Sequence, residues 1–65
     1  MEITMEINNL PKDPAILLSY VNTQLRDNYS YLTDFCASNN VDINDLVGRL
    51  RAIDYTYDEN INQFR

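Results

Sequence analysis

The sequence predicts a mainly α fold: a three-helix domain with a helix-turn-helix-like core, a small C-terminal β-hairpin, and an N-terminal segment able to add a strand. Three observations carry this expectation. Apolar residues return at helical spacing in three stretches between Pro14 and Ile53. Asp13 and Asp42 stand where helix caps stand, and Asn39–Asn40 stands where a helix ends. From Ile53 onward the apolar period becomes that of a strand.

The chain has 65 residues, enough for one domain. A domain of this size buries only about 60% of its unfolded surface, so its stability margin is narrow. The single cysteine, Cys36, excludes an internal disulfide, and the lack of histidine argues against structural zinc. The apolar core must therefore hold the fold, and self-association would help it.

Residues 1–9, beginning "MEITMEIN", alternate Ile3, Met5 and Ile7 against Glu2, Thr4 and Glu6, which suits a half-buried strand or a tail. Residues 10–65 make the helical domain. Asp13 as N-cap with Pro14 at the first helical position starts a helix that runs to about Arg26. Leu17, Leu18, Val21 and Leu25 form its buried stripe, and Ile16 and Tyr20 widen it. A second helix follows Ser30, taken as its cap, and runs to about Ser38 with Leu32, Phe35 and Cys36 inward. Asparagine tolerates the left-handed backbone, so Asn39–Asn40 ends it.

The third helix opens at Asp42. Asp42 and Asp45 are spaced as a capping box, and Val41 and Leu46 as a hydrophobic staple. Leu46, Val47, Leu50 and Ile53 continue its buried face. Gly48, inside that helix, suggests close packing against a neighbour. In "IDYTYDENINQFR", Ile53, Tyr55 and Tyr57 share a strand face, "DEN" turns, and Ile61 to Phe64 return as a hairpin. The expected core is Leu17, Leu18, Val21, Leu25, Leu32, Phe35, Val41, Leu46, Leu50 and Ile53.

Ten acidic residues against five basic ones give a net charge of −5. This balance opposes contact with phosphate backbones and anionic membranes. Asn40, Asp42 and Asn44 mimic alternate ligands of a calcium loop. Asp45, however, stands where that loop needs glycine, and Arg51 where it needs a bidentate glutamate. No metal and no cofactor are expected. With no histidine and one glycine, no catalytic constellation forms, so the expectation is a protein that is not an enzyme.

The spacing Phe35, Cys36, Val41, Leu46, Leu50 fits a helix-turn-helix, and a following hairpin would make it winged. In that reading Asn44, Arg49 and Arg51 belong to the recognition helix. Asp42 and Asp45 at its start would face phosphates, so a nucleic-acid partner is disfavoured. Tyr20, Tyr29, Tyr31, Tyr55 and Tyr57 could instead supply a surface for docking a protein partner.

"LPKDPAILLSYVN", "LRDNYS", "VDINDL" and the terminal "IDYTYDENINQFR" together resemble a family of short bacterial proteins, domain of unknown function 4250. The resemblance covers residues 10–65. It brings no activity, ligand or catalytic residue, and it implies a complete protein from a bacterial cytoplasm. A cytoplasmic location also suits the single cysteine and the lack of a signal-like or membrane-spanning apolar run. The expected function is a small non-enzymatic protein-interaction module, with a protein partner or a homodimer paired through residues 1–9. The alternative is a winged-helix-like nucleic-acid-binding or regulatory protein.

Overall fold

Three helices precede a hairpin: α1 (Pro14–Asp27), α2 (Leu32–Asn39), α3 (Ile43–Arg51), β1 (Tyr57–Asp58) and β2 (Gln63–Phe64). The structure is a computed structural model that describes residues 10–65. The strand expected of Ile3, Met5 and Ile7 lies outside the described residues.

The first and third helices begin where an aspartate side chain accepts from backbone amides. The Asp13 carboxylate accepts from the amides of Ala15 (2.8 Å) and Ile16 (3.4 Å), and Pro14 occupies the first turn. The Asp42 carboxylate accepts in the same way from Asn44 (2.8 Å) and Asp45 (3.4 Å). The reciprocal half of the expected capping box is replaced, because Asp45 turns to Arg49 one turn on, at 3.1 Å. Ser30 is not the cap of α2. That position falls to Tyr31, whose side chain makes no capping bond.

The second and third helices end through left-handed residues. Asn40 (φ 56°) lets Val41 N–H reach Cys36 O and Asn40 N–H reach Ala37 O. Asp54 (φ 70°) repeats the pattern, with Tyr55 N–H on Leu50 O and Asp54 N–H on Arg51 O. Both are Schellman turns, which satisfy carbonyls a helix otherwise leaves open. The second turn delays the hairpin. Ile53 and Tyr55 leave the helix rather than enter a strand, and pairing starts only at Tyr57.

The buried core is Leu17, Val21, Leu25, Leu32, Phe35, Cys36, Leu46, Leu50 and Phe64. Leu18, Val41 and Ile53, expected inside, are half-buried at its margin. Ile16 is 58% exposed, so the buried stripe of α1 is narrower than the sequence suggested. Phe64, absent from the expected core, is 1% exposed. Its ring meets Tyr57 at 5.4 Å, and β2 packs on α1. Gly48 is exposed, and a Cβ built on it meets nothing within 4 Å, so close packing does not explain it.

Candidate functional site

The hairpin is fixed to the helices by two asparagines. Thr56 and Arg65 exchange both backbone bonds (3.1 and 2.9 Å), so the next pair, Tyr57 and Phe64, turns its peptide groups outward. Outward from Phe64 stands α1. There Asn22 Oδ1 accepts from Phe64 N–H at 2.8 Å, and Asn22 Nδ2 donates to Phe64 O at 3.1 Å. One carboxamide thus completes the ladder that a third strand would supply.

The second asparagine lies in the turn. Asp58 accepts from Asn60 N–H at 2.9 Å and opens the turn; Asn62, at φ 53°, closes it. Asn62 Nδ2 donates to Leu25 O (3.0 Å) and Tyr29 O (2.9 Å), carbonyls at the end of α1 and just beyond it. Its Oδ1 accepts from the Tyr57 hydroxyl. That hydroxyl in turn accepts from Leu32 N–H at 3.4 Å, at the start of α2. A tyrosine from the hairpin therefore faces the helix start that Tyr31 leaves without a side-chain cap.

Between α1 and the hairpin these contacts leave an open cleft of about 790 Å³. Leu18, Tyr55 and Ile61 give it apolar surface, while Arg26, Gln63 and Arg65 give it polar ends. Tyr55 is 37% and Ile61 49% exposed. A smaller concavity of about 330 Å³ lies between α1 and the start of α3, lined by Leu10, Lys12, Asp42 and Arg49 among others.

The five tyrosines do not share one face. Tyr20 and Tyr29 set their rings edge-on to Phe35, at 6.3 and 5.5 Å. Tyr57 belongs to the polar latch just described. Tyr31 is 64% exposed at the α2 cap, and Tyr55 lines the cleft. Of the recognition-helix residues, Arg49 pairs with Asp45, and Asn44 and Arg51 are exposed. Cys36 is buried, and burial with the nearby Asp42 carboxylate pushes its thiol up from the ordinary range. Sequence reasoning missed Asn22, Asn62 and Phe64. The terminal "NQF" contains two of the three, but period alone does not say that an asparagine will bond backbone.

Among the described residues, no three of Asp, Glu, Cys or His gather as a metal site. No helix there is long and apolar enough to cross a membrane. No curated protein and no solved structure matches the chain. One family model matches residues 11–64, nearly the whole described chain. The chain therefore belongs to the family described as domain of unknown function (DUF4250).

Proposed function

We propose that this protein is a small non-enzymatic interaction module of the bacterial cytoplasm that engages a protein partner through the cleft between α1 and the hairpin. The observation that carries the reading is the placement of Tyr55 and Ile61. Both keep large apolar surfaces in solvent beside a concavity whose walls are held by Asn22 and Asn62. Exposed apolar side chains around a preformed hollow are what protein contacts use as anchors. The polar groups nearest the core support the non-enzymatic part: Asn22, Asn62 and Tyr57 are occupied with backbone groups and with each other.

The nucleic-acid reading has less support. Asp42 and Asp45 lie at the N-terminal end of α3, where a recognition helix would meet phosphates. A photo-crosslinking residue in place of Tyr55 tests the interaction reading, with the same residue in place of the exposed Thr33 on α2 as control. A discrete protein adduct from position 55 only is expected, and its mass tells a second copy of this chain from another protein. Equal labelling from both positions, or a salt-dependent shift of duplex DNA at micromolar protein, would reject the reading.

A further inference from the structure

The charged side chains that line the cleft differ from those of the chain as a whole. The chain carries ten acidic and five basic residues. Yet among the described residues the cleft's lining includes Arg26 and Arg65 and no aspartate or glutamate. Its two carboxamides nearest the floor, Asn22 and Asn62, are engaged with the backbone at Phe64, Leu25 and Tyr29. The charged handles left for a ligand are therefore the two guanidiniums, with Gln63 and the hydroxyls of Ser19, Thr23 and Tyr55 as neutral ones.

We infer that this cleft takes an acidic segment of a partner protein, one that alternates carboxylates with apolar side chains. The apolar side chains would cover Leu18, Tyr55 and Ile61, and the carboxylates would meet Arg26 and Arg65. Both arginines already hold a carboxylate: Arg26 contacts Asp27 through Nε (2.8 Å) and Nη2 (3.0 Å), and Arg65 contacts Asp58 through Nη1 at 3.4 Å. The Arg26–Asp27 pair sits in solvent and the Arg65–Asp58 pair at its edge, with the guanidinium outward, and surface pairs of this kind contribute little. A guanidinium has five N–H donors, so each retains donors for an incoming carboxylate. The acidic surface elsewhere repels an acidic segment, whereas at the cleft Arg26 with Asp27 and Arg65 with Asp58 balance in charge, so repulsion is weaker there and the remaining guanidinium donors decide the choice.

The inference rests on the interaction reading above and is tested separately from it. The probe is a fluorescein-labelled nine-residue peptide alternating glutamate with isoleucine and tyrosine, compared with its counterpart carrying lysine for glutamate. Titration into the full chain should raise anisotropy with the glutamate peptide only. The perturbed amide signals should cluster at Asn22, Tyr55, Ile61 and Gln63. The double substitution Arg26→Gln with Arg65→Gln should weaken binding on the order of tenfold, as for two exposed charge contacts, with circular dichroism unchanged. Asp34→Asn, off the cleft, should leave it as it was. Equal binding of the lysine peptide, or an affinity indifferent to the arginine substitutions, would overturn the inference. If position 55 still crosslinks in that case, the interaction reading stands and only the acidic ligand falls.

Discussion

Asn22 and Phe64, forty-two residues apart, are joined by two hydrogen bonds that copy the pairing of one strand with another. The arrangement solves a problem of size. A two-residue strand has an open side, and a two-stranded hairpin is marginal alone. A single helical carboxamide closes that side at the one residue whose ring also fills the core. Asn22→Ala should therefore cost about 1–3 kcal/mol, because both backbone groups of Phe64 lose their partners while partly buried. Urea denaturation measures it. Amide exchange should quicken at Phe64 before it quickens within α2. A change under a few tenths of a kcal/mol would show that water replaces the carboxamide without cost.

Tyr57 joins the hairpin turn to the start of α2 through its hydroxyl. Tyr57→Phe keeps the ring contact with Phe64 and removes only the bonds to Asn62 and Leu32. The expected loss is about 0.5–1.5 kcal/mol, the usual net value of such bonds. Combined with Asn62→Ala, the loss should be smaller than the sum of the single losses, because both substitutions break the same bond. Strict additivity in that double-mutant cycle would mean the two groups act independently.

The helices were legible because their signals are local. Asp13, Pro14, Asp42 and Asn40 act on amides or carbonyls within a few positions, and the apolar residues between them recur at a fixed period. Among the described residues the three left-handed positions are Asn40, Asp54 and Asn62, while the chain's only glycine sits in α3. Glycine is thus no guide to turns here. The local sequence announced the turn at Asn40 and, through "DEN", the hairpin turn that Asn62 closes, but not the one at Asp54. The cleft was not legible, because its walls meet through bonds between residues distant in sequence, such as Asn62 with Leu25. No periodicity encodes which asparagine turns toward which carbonyl. Phe64 was missed for the same reason: its burial depends on the hairpin folding back onto α1.

Asp42→Ala should destabilise the protein by about 0.5–2 kcal/mol, the usual effect of a lost N-cap. The loss should be the same with and without calcium, since the alternating Asn40, Asp42 and Asn44 serve a helix end. Thermal melts in calcium and in chelator check this. A calcium-dependent rise in melting temperature that disappears in the substituted protein would restore the metal reading.

Cys36 should resist alkylation in the native state. Burial, assisted by the Asp42 carboxylate, raises its thiol above the ordinary value, so the reactive thiolate is scarce. The sign for stability follows. Below the unfolded-state value both states hold the proton and no stability is lost. As pH rises beyond it, the unfolded thiol ionises first, so this contribution falls away through the folded-state value. Iodoacetamide labelling should be slow in buffer and fast in urea. Labelling at equal rates would show that the thiol is open to solvent.

Gly48 stands in the middle of α3, exposed, with open space where a Cβ would project. Its backbone is helical and not left-handed, so alanine can occupy the position without strain. Glycine there costs the helix roughly 0.5–1 kcal/mol relative to alanine, mainly through the freedom it gives the unfolded chain. Gly48→Ala should therefore stabilise the protein by about that amount, a visible fraction of the total for so small a domain. The effect should also appear as slower amide exchange along α3, with the hairpin bonds of Asn22 and Asn62 unchanged. Chemical denaturation of the substituted protein decides the matter. A loss of stability would mean that something packs against this face of α3 in solution, and the exposed flank of the helix would then become the surface to examine for a partner.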